Sequence, residues 1–453
     1  MKSINPATGE VLQTYEPHTG QEIAQRLQQA AQAQQQWSAW SIQERVQGLQ
    51  RIADALEKRT EALALLMTRE MGKPIGQSRS EFKKCVLNLR YYAANGPAMI
   101  ADELVETEGR KSYIRYQPLG VVLAIMPWNF PFWQVFRCMA PILLAGNGMV
   151  LKHASNVSGC ALAIEEVLKE ASLPEGLFHT LLVPSGGVAG LISQPAISAV
   201  TFTGSTQAGS QVAAAAGSHI KKQVLELGGS DAYIVLADAD LDLAVNVCVA
   251  ARLVNNGQSC VAAKRFVVEK TIFKEFERRF VAAMKAATFG NPEDPQNQVG
   301  PMARADLRDA LHQQVVDSVG KGAELLCGGE IPEGPGAYYP PTVLAHVRKG
   351  MPAYDEEMFG PVAALIEAGD EAHAIQIAND SIYGLGAAVF TTDWARGERI
   401  AAAELVAGNC FVNAQVHSDP RLPFGGVKQS GYGRELSRFG IQEFCLIKTV
   451  FVK

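Results

Sequence analysis

Short β-rich runs alternate with helical runs between Gly120 and Ala237, and this alternation limits the possible folds more than any other feature of the sequence. The β-rich runs are Val121-Ile125, Met149-Leu151, Phe178-Leu182, Ala199-Phe202, Gln223-Leu225 and Tyr233-Leu236. The helical runs between them are Phe132-Leu144, Ser158-Ala171 and Thr206-Ala215. Such alternation predicts a parallel sheet that helices cover on both faces.

A second alternating block follows Asp238 and includes a predicted helix over Leu241-Leu253. Two α/β blocks predict two lobes with a cleft between them. Residues 19–100 predict a helical layer with breaks at Ser41 and at 72–76. Residues 111–117 and 445–452 alternate polar and apolar side chains, which predicts two edge strands that need a partner, and another subunit is the expected one.

The charge balance and the N-terminus exclude several classes of partner. The chain has 41 Lys+Arg against 46 Asp+Glu, a net charge of −5, and no basic run, so we expect no nucleic acid partner. The first residues contain no apolar signal core, so the expected location is cytoplasmic. Three prolines interrupt the charge-free stretch 116–136, which favours a buried strand and loop over a membrane span.

Among the eight cysteines, Cys260 has unusual neighbours. No CxxC or HExxH spacing occurs in the chain, so we predict neither a metal site nor a disulfide framework. A structural cysteine usually lies among apolar residues, whereas Cys260 follows the small and polar run NNGQS. Cys260 is therefore a candidate nucleophile, although an inert thiol also fits this local context.

Two further polar residues stand at the ends of predicted strands. Glu226 ends a predicted strand just before a glycine pair. Parallel α/β sheets place their binding and catalytic sites at such strand ends, so Glu226 is a candidate site residue. A solvated glutamate at the end of a strand is the alternative interpretation. Asn129 follows a buried strand within Pro127-Pro131, where its amide either holds a turn or points at a ligand such as a developing oxyanion.

The turn at Gly204 and Ser205 leads from a predicted strand into a predicted helix. A helix N-terminus entered through glycine can bind a pyrophosphate, but an ordinary capped helix is as consistent with the local sequence. Lys152 ends another predicted strand and could reach a ribose or phosphate, or extend to solvent. No GxGxxG or P-loop motif is present.

Seven motifs in this order resemble the aldehyde dehydrogenase superfamily over nearly the whole chain. They are PWN at 127–129, LK at 151–152, FTGS at 202–205, ELGG at 226–229, GQSC at 257–260, EEMFGPV at 356–362 and PFGGVKQSG at 423–431. The resemblance implies a two-lobed α/β fold in a homodimer or homotetramer. Its parts would be a Rossmann-like cofactor domain (1–103 and 118–227, with 413–431 returning to it), an α/β catalytic domain (228–412) and a β-hairpin oligomerisation element (104–117 and 432–453).

The same resemblance implies a mechanism of aldehyde oxidation to a carboxylic acid. Cys260 would attack the aldehyde carbon, and the Asn129 amide with the Cys260 backbone N–H would stabilise the resulting oxyanion. After oxidation to a thioester, Glu226 would activate the water that releases a free acid. Lys152 is expected at both the catalytic centre and the cofactor.

The implied cofactor is NADP or NAD. The residues expected to bind it are Trp128, Lys152, Ser155, Gly204, Ser205, Glu357 and Phe359. Ser155 stands three residues after Lys152, where NAD-restricted relatives often carry a glutamate that would repel a 2′-phosphate. The serine therefore predicts that NADP is accepted, with NAD also possible.

The residues expected to bind the substrate match those of the family only in part. Arg137 matches an arginine that succinate-semialdehyde dehydrogenases of this family use for the distal carboxylate, but Val254 stands where their second arginine is expected. His417 and Ser418 fall where relatives build the substrate mouth, and a polar surface loop is the alternative. The predicted aldehyde is succinate semialdehyde, with glutarate semialdehyde or medium aliphatic aldehydes as alternatives.

Two rival functions remain compatible with the sequence alone. One is a catalytically silent structural or binding member of the fold. The other is a thiol hydrolase that works without a nicotinamide cofactor, which would leave Lys152, Glu357 and the FTGS turn without a role.

Overall fold

The computed structural model describes all residues from 1 to 453. The strands are β1 (Lys2–Ile4), β2 (Val11–Thr14), β3 (Glu103–Leu104), β4 (Lys111–Pro118), β5 (Val121–Met126), β6 (Gly148–His153), β7 (Phe178–Thr180), β8 (Ile197–Thr203), β9 (Lys222–Glu226), β10 (Ala232–Val235), β11 (Arg265–Glu269), β12 (Glu324–Cys327), β13 (Thr342–Ala345), β14 (Val362–Ala368), β15 (Gly386–Phe390), β16 (Asn409–Val412), β17 (Gly431–Tyr432) and β18 (Cys445–Val452).

The helices fill the connections between these strands. They are α1 (Gly20–Ala39), α2 (Ile42–Lys58), α3 (Thr60–Met71), α4 (Ile75–Met99), α5 (Trp133–Leu144), α6 (Ser158–Glu170), α7 (Val188–Ile192), α8 (Thr206–Ser218), α9 (Leu241–Leu253), α10 (Lys270–Ala286), α11 (Ala305–Gly320), α12 (Pro352–Asp355), α13 (Glu371–Asn379), α14 (Trp394–Arg399) and α15 (Ser437–Glu443). None of them is both long enough and apolar enough to cross a membrane.

The first predicted α/β block forms a six-stranded sheet in the order β17-β9-β8-β5-β6-β7, parallel except for β17. One buried cluster of 53 residues fills one face of this sheet and extends into the N-terminal helices, and a cluster of 17 fills the other face. Helices therefore cover both faces, as the alternation of the sequence predicts. The late strand β17 returns to this sheet, because Gly431 pairs with Glu226.

The second block forms a seven-stranded sheet in the order β12-β13-β14-β11-β10-β15-β16, in which only β12 runs antiparallel to its neighbour. Its faces are packed by buried clusters of 27 and 22 residues. The chain leaves the first sheet after Glu226 and enters the second at Ala232. The connection between the two sheets therefore passes beside Glu226.

The two predicted edge strands, 111–117 and 445–452, pair with each other within one chain. Strand β18 lies antiparallel to β4 over its full length, from Cys445 opposite Pro118 to Val452 opposite Lys111. Strand β3 pairs with the other edge of β4, so that β18 keeps one edge unpaired.

The predicted start of the C-terminal oligomerisation segment at 432 needs correction. Tyr432 is part of the six-stranded sheet, and α15 packs Ile441 into the large core of that sheet. The buried residues that anchor this segment are Leu436, Ile441 and Phe444. The third sheet takes only 445–452 from the C-terminal segment.

Candidate active site

Cys260 lies in a loop whose backbone is held in an uncommon conformation. Directly after α9, Asn255 and Asn256 have φ values of 54° and 57°, and Gly257 has a φ of 73°. Asparagine and glycine tolerate this left-handed region better than other residues do. A Cβ atom on Gly257 would lie 2.2 Å from the backbone oxygen of Gly360, so only glycine fits here.

Side-chain hydrogen bonds tie this loop to both lobes. Asn255 Nδ2 donates to the backbone oxygens of Asn129 (2.7 Å) and Gln258 (2.9 Å). Asn256 Nδ2 donates to the oxygens of Gly72 and Pro301, both at 2.9 Å. Because these amides are buried, they fix the loop that presents Cys260.

Lys264 holds the other side of the same loop. Its buried Nζ donates to the backbone oxygens of Ser259 (2.9 Å) and Cys260 (2.7 Å), and lies 3.4 Å from Glu357 Oε1. Glu357 Oε1 also accepts a hydrogen bond of 2.9 Å from the backbone N–H of Gly229. This chain of contacts couples Glu357, a predicted ribose ligand, to the position of the thiol.

Two hydrogen-bond donors at the Cys260 loop are free. Asn129 Nδ2 donates one hydrogen to the Gln258 backbone oxygen at 3.0 Å, while Gln134 Nε2 donates to Asn129 Oδ1 at 3.1 Å and fixes the orientation of the amide. The second Asn129 Nδ2 hydrogen has no protein acceptor, and neither has the backbone N–H of Cys260. The two free donors are suited to an oxyanion formed on a carbon bonded to Cys260.

Glu226 is a buried carboxyl group at the end of β9. Neither of its oxygens has a hydrogen-bond partner in the protein. Burial raises the pKa of Glu226 to about 8, the nearby Glu435 adds to the increase, and Arg137 opposes it. A carboxyl group with a pKa near the working pH is suited to accept a proton from water.

Without cofactor or substrate, the thiol form of Cys260 is favoured over the thiolate. Burial raises its pKa to about 12, although Lys264 and Arg137 both lower it. A thiol with this pKa is a weak nucleophile, so it needs a further positive charge or a base beside it to react.

A cavity of about 620 Å³ opens onto Cys260. All three predicted substrate residues, Arg137, His417 and Ser418, line it together with Cys260. The side chain of His417 is exposed and that of Ser418 is buried. These two residues therefore line the cavity, and their predicted contact with substrate stays a prediction.

The structure gives Arg137 a partner that the sequence analysis did not foresee. Its guanidinium group forms a buried ion pair with Glu435, and Nη2 also lies 3.4 Å from Thr203 Oγ1. The positive charge of Arg137 is thus balanced inside the protein before any substrate carboxylate enters the cavity.

The end of β6 fits a phosphate or ribose. Lys152 is 6% exposed, and its ammonium group makes no hydrogen bond or ion pair within the protein. Ser155 lies one turn further on, and its hydroxyl group makes no hydrogen bond. An unpaired cation and a free hydroxyl at the carboxyl end of a parallel strand suit the ribose and 2′-phosphate of a dinucleotide.

The other predicted cofactor residues lie where strand and helix ends meet. Ser205 is the N-cap of α8, and its Oγ accepts a hydrogen bond of 3.3 Å from the Ala208 N–H. A Cβ atom on Gly204 would lie 2.5 Å from the Phe202 ring, so glycine permits this close turn. The predicted cap is confirmed, and the predicted phosphate contact stays a prediction.

Trp128 and Phe359, predicted at the nicotinamide end, are in contact. Their ring centroids lie 5.8 Å apart in an edge-to-face arrangement. Their ring planes make an angle of 88°. The structure thus brings together two residues that are far apart in the sequence, as the resemblance implies.

The family model described as "Aldehyde dehydrogenase family" matches residues 1–450. The chain belongs to the aldehyde dehydrogenase family. Succinate semialdehyde dehydrogenase [NAD(P)+] Sad of Escherichia coli strain K12 is 51% identical over 449 residues, covering 99% of this chain and 97% of that protein. A probable succinate-semialdehyde dehydrogenase [NADP(+)] of Synechocystis is 47% identical over 450 residues and covers 99% of each chain.

A solved aldehyde dehydrogenase structure agrees with these relatives. The succinic semialdehyde dehydrogenase of Streptococcus pyogenes, solved in complex with NADP+, has a TM-score of 0.97 to this chain at 36% identity, covering 100% of this chain and 99% of that one. The family and the α/β fold predicted from the sequence are thereby confirmed.

Several residues that organise this aldehyde dehydrogenase site were not predicted from the sequence. They are Gln134, Asn255, Asn256, Lys264 and Glu435. The Asn255-Asn256-Gly257 run carries a signal for left-handed backbone that could have identified the loop. Lys264 and Glu435 carry no local signal, because their roles depend on contacts formed only in the fold.

Proposed function

We propose that this aldehyde dehydrogenase oxidises succinate semialdehyde to succinate with NADP⁺ or NAD⁺. The observation that carries the proposal is that Cys260 lines a cavity, while the Asn129 amide bonded to the Cys260 loop and the Cys260 backbone N–H each keep a free donor. The printed names of the relatives from Escherichia coli, Synechocystis and Streptococcus pyogenes support this substrate and cofactor.

Each step of the proposed oxidation is assigned to one of three residues, Cys260, Asn129 and Glu226. The Cys260 thiol gives up its proton to solvent in the cavity, its sulfur bonds to the aldehyde carbon, and the carbonyl oxygen becomes an oxyanion held by the two N–H donors. If NADP⁺ or NAD⁺ is bound, it would supply the two-electron oxidation by accepting a hydride from the former aldehyde carbon, which leaves a thioester on Cys260. Glu226 then takes a proton from a water molecule, whose oxygen attacks the thioester carbon and releases the acid with regeneration of the thiol.

The residues at the ends of β6, β8 and β9 fit a dinucleotide. Lys152 and Ser155 offer an unpaired cation and a free hydroxyl, and no acidic side chain stands at Ser155 to repel a 2′-phosphate. The cap at Ser205 and the carboxylate of Glu357 complete the set implied by the resemblance. These contacts support NADP⁺, with NAD⁺ as a second cofactor.

We propose further that the protein is a homodimer or homotetramer through its three-stranded sheet. The unpaired edge of β18 and the exposed side chains of Leu446, Ile447 and Phe451 support an association of copies there. All eight cysteines are free thiols, which supports the proposed location in the reducing cytoplasm.

Initial rates of nicotinamide reduction test the function. Succinate semialdehyde, glutarate semialdehyde and butanal should each be supplied with NADP⁺ and with NAD⁺. We expect kcat/KM for succinate semialdehyde to exceed that for butanal by at least tenfold. An equal or higher value for butanal would show a general aldehyde dehydrogenase, and an absence of nicotinamide reduction with all three would point to a silent member of the fold. Aldehyde turnover without nicotinamide would favour the thiol hydrolase.

A further inference from the structure

The turn that carries Asn129 connects β5 to α5 and spans residues 127–132. Gln134, in the first turn of α5, fixes the orientation of the Asn129 amide through its contact of 3.1 Å with Oδ1. The direction of the free Asn129 N–H therefore depends on the backbone between these two residues. Any group that holds this backbone helps to aim the donor.

Glu81 holds one end of the Asn129 turn. Its buried Oε1 accepts hydrogen bonds from the backbone N–H groups of Phe132 (3.0 Å) and Trp133 (2.8 Å), and its carboxylate is paired with Lys73. These N–H groups lie at the N-terminus of α5, where the cap residue Phe132 offers no side-chain acceptor. A carboxylate placed there stabilises the start of the helix.

His153 holds the middle of the same turn from the end of β6. Its Nε2 lies 2.9 Å from the backbone oxygen of Pro131, an oxygen to which no backbone N–H donates. Pro131 and His153 are both buried. Because a buried carbonyl group needs a donor, the loss of the imidazole would favour a shift of the turn.

The contacts of His153 define its protonation state. Its Nδ1 lies 2.9 Å from the backbone nitrogen of Ala154, which can only donate, whereas the Pro131 oxygen can only accept. Only the neutral imidazole with its hydrogen on Nε2 makes both contacts at once. Burial lowers the pKa of His153 to about 4, and the charge of Lys152 lowers it further, while the hydrogen bond to Pro131 opposes the shift. The side chain is therefore an uncharged donor at neutral pH.

The strand that carries His153 is a firm support. β6 lies inside the six-stranded sheet between β5 and β7, and its six residues are all buried. His153 stands opposite Met126, the last residue of β5, and directly after Lys152. The imidazole thus joins the Asn129 turn to the strand end at which Lys152 is proposed to contact the cofactor.

We infer that His153 is a positioning residue for the oxyanion site: by donating to the Pro131 oxygen, it aims the free Asn129 N–H at the substrate oxygen. Glu81 supports the same turn from the side of α5. The inference rests on the proposed function, in which Asn129 stabilises the oxyanion. His153 itself does not line the cavity that opens onto Cys260, so it acts only through the turn.

Two reagents separate the aim of Asn129 from the reactivity of the Cys260 thiol. With p-nitrophenyl acetate, the sulfur bonds to the carbonyl carbon, the thiol proton passes to solvent, the carbonyl oxygen becomes an oxyanion, and p-nitrophenolate then leaves. Iodoacetamide alkylates the same sulfur by loss of iodide and forms no oxyanion. Neither reaction needs a nicotinamide cofactor. The measured rates are the first release of p-nitrophenolate and the alkylation of Cys260 followed by peptide mapping.

Two amide side chains that differ by one methylene group test His153. His153→Gln can place an N–H near the position of Nε2, whereas the amide of His153→Asn is too short to reach Pro131. We expect His153→Asn to lower the acylation rate by about tenfold or more, and to leave alkylation within about twofold of the wild type. His153→Gln should recover most of the acylation rate. His179→Asn makes the same substitution at a buried histidine of β7 in the same sheet, and should match the wild type in both reactions.

A double-mutant cycle shows whether His153 acts through Asn129. Asn129→Ala should lower the acylation rate by about a hundredfold, and adding His153→Asn to it should cause no further loss. This absence of a further loss is the result that a general weakening of the fold would not produce.

The remaining outcomes each overturn part of the account. If His153→Asn keeps the wild-type acylation rate, slows alkylation equally, or multiplies the loss of Asn129→Ala, the assignment of His153 is wrong while the role of Asn129 stands. The same holds if His153→Gln acylates no faster than His153→Asn, or if His179→Asn loses as much. If Asn129→Ala itself acylates at the wild-type rate, the proposed oxyanion role of Asn129 fails, and the assignment of His153 fails with it.

Discussion

At the scale of single residues, Glu226 carries the step that releases the product. Its oxygens are buried without hydrogen-bond partners. This environment favours the neutral carboxyl group, so a carboxylate formed here is a reactive base. A base of this kind acts only in its ionised form.

The pH dependence of thioester hydrolysis should follow Glu226. With a pKa of about 8, roughly a tenth of this carboxyl group is ionised at pH 7, so the hydrolysis rate should rise about tenfold per pH unit below pH 8 and level off above it. Rapid mixing that separates the first burst of NADPH from steady turnover measures this rate. A rate that stays constant between pH 6 and pH 9 would contradict the assignment.

The raised pKa of Glu226 also makes the stability of the fold depend on pH. A carboxyl group with a raised pKa favours the folded state most below its ordinary value of 4.5, and this contribution is lost as the pH rises to about 8. Glu226→Gln should therefore unfold at a higher temperature than the wild type at pH 8, and at a similar temperature at pH 4.5.

Ser155 should govern the choice of cofactor. Ser155→Glu places a carboxylate beside the 2′ position that Lys152 is proposed to contact, so it should lower kcat/KM for NADP⁺ by tenfold or more through charge repulsion. Ser155→Gln, of similar size without the charge, serves as the control, and NAD⁺ should be affected much less by either change. A loss of equal size with both cofactors would show that Ser155 acts through packing.

The residues of this site differ in how far the sequence reveals them. Cys260, Glu226 and Asn129 stand in local contexts that are unusual by themselves, so each could be selected before the fold was known. Glu435 could not, because its partner Arg137 lies on a distant part of the chain and only the fold brings the two together. Arg137 was predicted as a substrate ligand and lines the cavity, but only the fold shows its ion pair with Glu435.

At the scale of elements, the loop before Cys260 has little conformational freedom. Gly257→Ala should lower the free energy of unfolding by at least about 2 kcal/mol and displace the thiol, because its φ is 73° and its Cβ atom would lie 2.2 Å from the Gly360 oxygen. Thermal unfolding and kcat together measure the effect. Gly190→Ala in α7, where a Cβ atom meets nothing within 4 Å, is the matched control and should stay within about 0.5 kcal/mol of the wild type.

Element boundaries were predicted best where a local signal marks them. Helix α9 begins at Leu241 as predicted, because Asp240 caps it by accepting hydrogen bonds from Asp242 and Leu243. The break between α2 and α3 at Arg59 was not predicted, since neither glycine nor proline stands there and no side chain caps α3.

At the scale of the whole molecule, the open edge of β18 should determine assembly. Ile447 is 56% exposed on this strand, so Ile447→Lys should lower the molar mass measured by light scattering, because a lysine on an edge strand opposes pairing with another copy. Ile220, which is 94% exposed outside this sheet, provides the control, and Ile220→Lys should leave the mass unchanged. An unchanged mass for Ile447→Lys would place the subunit contact elsewhere.

The central claim is that Cys260 carries the acyl group and Glu226 releases it. Intact-protein mass spectrometry of Glu226→Gln after mixing with succinate semialdehyde and NADP⁺ tests this most directly. The account predicts one succinyl group per chain, located on Cys260 by peptide mapping and absent when Cys260→Ser is added to the variant. An unmodified Cys260 during NADPH formation, or a succinyl group on another residue, would contradict it.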